Sequence, residues 1–598
     1  MNSFKVHHAI YFLILALCFS CKETPSKPSD TQTTEKEISK IQKVYPNFDN
    51  QQLQRYISEF AEKDSLLYDF YKGNNFNLIW GIDSLDIRNI NFFSLLLENL
   101  DRNGLPNDYL GNIDLKEIAE SIESGRETDS LYHRIVDLDF KATRTAIDYI
   151  TGMHYGFLHP DSLFGELYDI KVQQPDSAFH AQLHEGLKKD IIATLYNSLP
   201  TDSVYLSLQK EYRFWDDLAN NANKPKVIQA KGYNLSYKKG EKHHNISRLA
   251  ERLIWSSEYT PDSLDTDTLN QTLSASLLKA INKFRIQNSY PEEDEVGALT
   301  IDALNRDANY YLDKLSANME RYRWKRAKKK EDKHIEVNIP AFKLFATQTD
   351  SVPVIMRVCV GTVKHKTPML ESNLGYINLN PTWNVPISIA KNEIFPAMRR
   401  DPSYMANRNM KLYKGGKEVD YNSFNWKKDK ISPHVYFVRQ GPGNTNSLGR
   451  LKFMFANNFS VYLHDTPSKG TFYRKNRAVS HGCIRLQRPV DLAFFCTRPS
   501  DEIYRDEIRF AVDQPVKSKE AKKWRKDEHK PINDIIRIKE KTSLAVDYFT
   551  AYMQPADTML YFADDVYSYD LRILEALGRN KTTKSKIIQE KTENDGVF

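Results

Sequence analysis

VYLHDTPSKGTFYRKNRAVSHGCIRLQ, residues 461–487, is the stretch from which the rest of the chain is read. Val461, Tyr462, Leu463 and His464 follow the two-residue period of a strand, so His464 projects from the face opposite Val461 and Leu463. A polar, glycine-containing loop follows. Then Ser480-His481-Gly482-Cys483-Ile484-Arg485-Leu486 sets one cysteine among a histidine, a glycine and an arginine.

A thiol attacks a carbonyl as the thiolate, and a free thiol with pKa of about 8.5 is mostly protonated at neutral pH. A nearby imidazole can take that proton, and Arg485 adds a positive field that favours the anion. Gly482, without a Cβ, lets the backbone turn sharply and offer amide hydrogens at Gly482 and Cys483 to a tetrahedral oxyanion. Two histidines compete for the role of base. His481 lies two residues from the thiol in a turned backbone, where neighbouring side chains diverge. The strand-borne His464 is therefore the preferred base, and His481 is left to orient the turn or the substrate. Cys359 and Cys496 read as small buried hydrophobes, the commoner fate of a lone cysteine.

The spacing is more specific than the residue types. His464, a fifteen-residue gap and Ser-His-Gly-Cys resemble the signature of the L,D-transpeptidases, the YkuD family. Many members carry Asn two residues after the cysteine; this chain has Arg485, as the large multidomain branch commonly does. The run Asn380-Pro381-Thr382-Trp383-Asn384-Val385-Pro386 also resembles that branch. The resemblance implies a periplasmic acyltransferase acting on peptidoglycan stem peptides. Cys483 would attack the third residue of a tetrapeptide stem, release D-Ala and hold a thioester. An amine of a neighbouring stem would resolve it into a 3–3 cross-link, with His464 as general base and acid. Ser480 and Arg485 would position the stem, and Trp383 and Asn384 are candidates for the cleft wall, core packing being an equal reading for Trp383. No cofactor is implied, and the histidines and cysteines lack zinc spacing. Rival readings use water as acceptor, as an L,D-carboxypeptidase or a cell-wall cysteine endopeptidase or amidase. In the familiar cysteine peptidases, however, the nucleophile precedes its histidine. A binding protein with a degenerate site is disfavoured by the intact His464/Cys483 pair. The acceptor stays open among a stem, a free D-amino acid and a protein lysine.

Composition narrows the setting. The chain has 598 residues, 40% hydrophobic and 27% charged, with a net charge of +6. Its basic residues are spread along the chain, which argues against a nucleic-acid partner. Lys5, an apolar run over 9–19 and Ser20-Cys21 read as a lipoprotein-type signal peptide over 1–20, with Cys21 lipidated and the chain held on a membrane. Signal cleavage without lipidation is the alternative, and the inner and outer membranes are both open. Cys359 and Cys496 are either thiols or a bridge, whereas a nucleophilic Cys483 has to stay reduced.

The expected architecture is multidomain α+β, most simply a monomer. A flexible tether covers 21–45. A helical scaffold covers 46–227, where Leu138, Ala142, Ala146 and Ile150 recur near helical spacing. The segments YKGNNFNLIW and LDFKATRTAIDYITGMHYGFLHPD there resemble the scaffold domain of large L,D-transpeptidases. A unit at 228–306 resembles the three-helix peptidoglycan-binding domain, with a structural spacer as the plainer reading. Helices are expected to end near 310, with 321–326 a solvated basic linker. A mainly β catalytic domain covers 310–578, with its core at 333–512 and a cap, broken in strand pattern, over about 391–447. A disordered tail takes 579–598.

Overall fold

The computed structural model describes residues 39–111, 115–124, 130–221, 225–226, 228, 236–261, 271–325, 331–499, 501–524 and 534–579. The signal segment 1–20, Cys21 and the tail from 580 onward lie outside them. Among the described residues no helix is long and apolar enough to cross a membrane.

The N-terminal helices wrap around the helix Leu131–Tyr155, whose Leu138, Ala142, Ala146 and Ile150 are all buried. Asp139 ties the bundle. It accepts from the Tyr71 hydroxyl at 2.5 Å and from the Trp80 N–H at 3.0 Å, and burial pushes its carboxyl up to about 7. Folded structure begins earlier than the expected tether allows. Lys40–Val44 is a helix with a Ser39/Gln42 capping box, and Ile41 and Tyr45 are buried. The scaffold is not helical throughout either, because Tyr168–Asp169 pairs in parallel with Met369 and Leu370 at the edge of the C-terminal sheet.

That 11-stranded sheet closes on itself. From Met369–Leu379 it runs through Leu451–Phe455, Leu463–His464, Ile484–Leu486, Val354–Gly361, Lys343–Thr347 and His334–Asn338 to Ser543–Asp547, which pairs back onto Met369–Leu379. Ile335, Val337, Leu463, Ile484, Leu486 and Val546 fill its interior, and the helix Pro489–Thr497 buries Cys496 against it. Cys359, Cys483 and Cys496 are all free, which removes the bridge alternative.

The helices do not end near 310. Ala308–Lys325 is a single helix packed against Ser203–Ala219 and the C-terminal hairpin Ala551–Met553/Leu560–Phe562. The basic run is no solvated linker, since Arg321 and Arg323 are 4% and 1% exposed. Glu320 accepts from Arg323 at 2.7 Å and from the indole of Trp324 at 2.9 Å, and Arg321 meets Asp570 at 2.5 Å. Glu320 also accepts from the N–H groups of Phe157 and Leu158, each at 2.7 Å, which fastens the scaffold to the helix. Arg579 likewise belongs to the fold and not to the tail, donating to the Tyr212 hydroxyl at 2.7 Å.

The helices Asn245–Trp255, Ala275–Gln287 and Ala298–Leu304 enclose a core of their own, where Ile246, Leu249, Leu277, Ile281 and Phe284 are fully buried. The cap also has its own core, around Ile394, Phe395, Met398 and Leu412. It contains strands where none were expected, in the order Lys417–Val419, Met410–Lys414, Tyr436–Gln440 and Trp383–Asn384. It therefore begins at Trp383, before the predicted 391. Met410 and Leu412 are buried between exposed or half-buried neighbours, a period-two signal only a few residues long.

Candidate active site

The sheet register brings the predicted pair together. Leu463 pairs with Ile484 and His464 with Arg485 in parallel, so Tyr462 lies opposite Cys483, and all four polar side chains share one face. On the flanking strands Lys452 pairs with His464 and Cys359 with Arg485. The opposite face is the apolar interior, which fixes the register, since a one-residue slip would bury the polar set.

The turn carrying the thiol is held from several sides. Gly482 has φ of +110°, a conformation L side chains rarely adopt. The buried Ser480 hydroxyl donates to the Cys483 carbonyl at 2.6 Å and accepts from the Gly482 N–H at 3.1 Å. Thr367 donates to the Gly482 carbonyl at 2.8 Å, and the Tyr567 hydroxyl donates to the Gly361 carbonyl at 2.6 Å behind it. Two expectations change here. The Gly482 N–H is already used by Ser480, so of the two amides only that of Cys483 has no acceptor among the described residues. Ser480 is turned inward, its hydroxyl committed to the turn.

His464 is 4% exposed, and its Nδ1 lies 2.5 Å from the Asp465 carbonyl. A carbonyl only accepts, so Nδ1 carries the hydrogen and Nε2 keeps a free lone pair. Asp465 is fixed in turn, its carboxylate accepting from the Arg450 N–H at 2.9 Å and the Lys469 ammonium at 2.5 Å. Burial first, then the positive charge of Arg485, lowers the His464 pKa to about 3. The imidazole is therefore neutral, a base and not a standing cation.

Burial pushes the half-buried Cys483 thiol up. Opposing that are hydrogen bonds from the Tyr462 backbone and hydroxyl and the charges of Lys452 and Arg485. Neither cation has a carboxylate partner among the described residues, and the Arg485 Nε is a buried donor without an acceptor. Lys452 sits 3.9 Å over the Tyr462 ring, and the ring of His464 meets Tyr462 edge-on at 5.7 Å. The half-buried Trp383 hydrogen-bonds to the Tyr462 hydroxyl, so the first strand of the cap touches the thiol's own partner. Asn384 instead accepts from Arg439 at 2.9 Å within the cap sheet. His481 points away from this face, its Nε2 2.9 Å from the cap's Glu393 and its ring stacked on His365 at 4.7 Å.

Residues 332–517 match the family model described as the L,D-transpeptidase catalytic domain, YkuD, and residues 65–211 match the Scaffold domain. Over residues 332–517 the chain is similar to a YkuD-type L,D-transpeptidase catalytic domain. A curated Haemophilus influenzae protein named "Putative L,D-transpeptidase" is 39% identical over 161 residues, covering 27% of this chain and 32% of the relative, so the matched part spans about a third of that protein. A solved L,D-transpeptidase structure from Xylanimonas cellulosilytica shares 11% identity at a TM-score of 0.15, covering 53% of this chain and 99% of that one. So loose a superposition assigns nothing.

Within the matched residues 332–517, sequence reasoning missed Tyr462, Lys452 and Glu393. Tyr462 was legible, two residues before His464 and on its face. Lys452 and Glu393 reach the site only through strand pairing and cap docking.

Proposed function

We propose that the protein is a peptidoglycan L,D-transpeptidase with Cys483 as nucleophile and His464 as the base and acid that serves it. The observation that carries this reading is a free, half-buried thiol whose surroundings are donors and cations, beside a neutral imidazole with a fixed tautomer. As Sγ attacks the acyl carbon of the donor stem's third residue, the thiol proton passes to the His464 Nε2. The Cys483 N–H and the unpaired Arg485 are the available donors for the oxyanion. Collapse breaks the C–N bond, and the imidazolium gives its proton to the departing D-Ala amine, leaving a thioester. An acceptor amine then forms the new C–N bond while C–S breaks. Its proton travels by His464 back to sulfur, restoring the thiol.

A low pKa at His464 suits the acid half of the cycle, the return of the proton to the leaving amine. The imidazole is free to accept at any ordinary pH, and the imidazolium formed beside Lys452 and Arg485 is a strong acid toward the leaving amine. The cap, touching Tyr462 through Trp383, is placed to keep water from the thioester. We assign the helical unit at 228–306 to holding glycan strands near the cleft, and place the enzyme on a periplasmic membrane surface from the reading of residues 1–21.

The test is to incubate the purified protein with disaccharide-tetrapeptide and follow D-Ala and muropeptides by mass spectrometry. A 3–3 linked dimer with released D-Ala is expected. Tripeptide alone would make it an L,D-carboxypeptidase, and unchanged tetrapeptide would end the reading.

A further inference from the structure

A pocket of about 460 Å³ opens behind the nucleophile turn, where the scaffold meets the sheet. Val461 and Gly482 line it, whereas Tyr462, His464, Cys483 and Arg485 do not. Leu167 of the scaffold, Phe459 and Val461 make an apolar floor, and Lys364, His365 and His481 form a rim. Every titratable residue lining it is basic. Lys366, also in the lining, is engaged 4.6 Å over the Tyr569 ring. Lys364 is exposed and has no partner among the described residues.

The cluster already shows which chemistry it holds. At its cap-side end His481 is paired with the carboxylate of Glu393, which rides on the irregular turn Ala390–Ile394. A volume of about 460 Å³ lies in the range that takes a small peptide segment. An apolar floor with a basic rim, on which Lys364 carries the standing charge, suits a peptide ending in a carboxylate, and Gly482 in its lining is next to Cys483 in the chain.

Resting on the transpeptidase reading, we infer that this pocket is the subsite of the acceptor stem and that Lys364 and His365 seat that stem's terminal carboxylate. The donor must bring its acyl carbon to Sγ and so occupies the face of Tyr462, His464 and Arg485. The acceptor has to approach from a side the donor leaves free. It must also present a neutral amine to the thioester, so its carboxylate is the group a site can grip without blocking the reaction. The face of Lys452 and Arg485 and the basic rim at Lys364 and His365 thus serve different stems.

Full-length protein with disaccharide-tetrapeptide tests this by scoring dimer formed per D-Ala released. An exposed charge contributes up to about 1 kcal/mol, so Lys364→Ala should lower that ratio about two- to fivefold at low salt. Lys364→Glu should lower it about tenfold, the deficit should narrow as salt rises, and Lys364→Arg should restore the ratio. An acceptor stem amidated at its terminal carboxylate should be used poorly by the wild type and no worse by Lys364→Glu, because the two changes remove one interaction. A ratio within about twofold of wild type in Lys364→Glu, or free and amidated acceptors used equally by the wild type, overturns the subsite. If the wild type releases no D-Ala at all, the transpeptidase reading itself fails, and this subsite with it.

Discussion

In the helix Ala308–Lys325 charge is withdrawn from water and answered. Glu320 gathers Arg323, Trp324 and two scaffold N–H groups, Arg321 meets Asp570, and Lys325 meets Asp547. Around the turn at 480–485 charge is withdrawn and left unanswered. Lys452 and Arg485 have no carboxylate among the described residues, and the Cys483 N–H has no acceptor. A satisfied buried network fixes one arrangement of the chain. An unsatisfied one holds donors ready for charge that develops elsewhere, which is where catalytic electrostatics come from. The two regions should respond to mutation in opposite currencies, stability in the helix and rate in the turn.

The largest rate effect is expected from Cys483→Ala. With the nucleophile gone the covalent route disappears, so D-Ala release should fall to background. The melting temperature should stay close to wild type, because the turn is held by Ser480, Thr367 and Tyr567 and not by the thiol. His464→Ala should come next, costing on the order of 10² to 10⁴ in turnover, the usual share of a positioned base. His481→Ala should cost less. Thiol alkylation at neutral pH that slows in the His481 variant but not in the His464 variant would reverse the assignment.

The helix should give the mirror image. Glu320→Ala leaves Arg323 buried without its carboxylate and removes the acceptor of Phe157, Leu158 and Trp324. Breaking a buried pair from one side costs about 3–5 kcal/mol, seen as a lower denaturation midpoint. Alkylation of Cys483 per folded molecule should not change. A variant that lost reactivity while keeping its midpoint would show that the contrast between the regions is wrongly drawn.

The same contrast explains what could be read in the sequence. The turn announces itself because its chemistry is local, His464, Gly482, Cys483 and Arg485 lying within two dozen residues. Helical and strand faces such as Leu138/Ala142/Ala146 and Ile335/Val337 were likewise legible from their periods. The helix at 308–325 was not, because the partners that let Arg321 and Lys325 leave water, Asp570 and Asp547, lie more than two hundred residues away. Without them a basic run reads as solvated. Lys452 was missed for the same reason, reaching His464 only across paired strands.

A smaller effect, now on stability, comes from His464 itself. In the fold it stays neutral down to about 3, while in the unfolded chain it titrates near its ordinary 6.5. Between those values the unfolded chain binds a proton that the folded one does not. This contribution is fully present above pH 6.5 and is lost as pH falls toward 3. The slope is at most about 1.4 kcal/mol per pH unit. Denaturation midpoints taken between pH 7 and 4 should therefore fall less steeply in His464→Gln than in wild type. Identical slopes would mean that the imidazole is solvated and protonates within the fold.

The smallest effect is the sharpest test of how the cap and the thiol are joined. The Tyr462 hydroxyl bonds to Cys483 on one side and to Trp383 on the other, with Lys452 3.9 Å above its ring. Tyr462→Phe keeps the ring, and so the stacking of Lys452, but removes the one neutral side-chain donor to sulfur. A thiolate that loses a hydrogen bond forms less readily, so the alkylation profile of Cys483 should move to higher pH. Such a bond is worth about 0.5–1.5 kcal/mol, a fall in rate at neutral pH of about two- to tenfold. Trp383→Phe should move the profile the same way by less, because the hydroxyl remains and loses only its orientation. A merely structural role for Tyr462 would lower the melting temperature and leave the profile in place, and that outcome would detach the cap from the chemistry at Cys483.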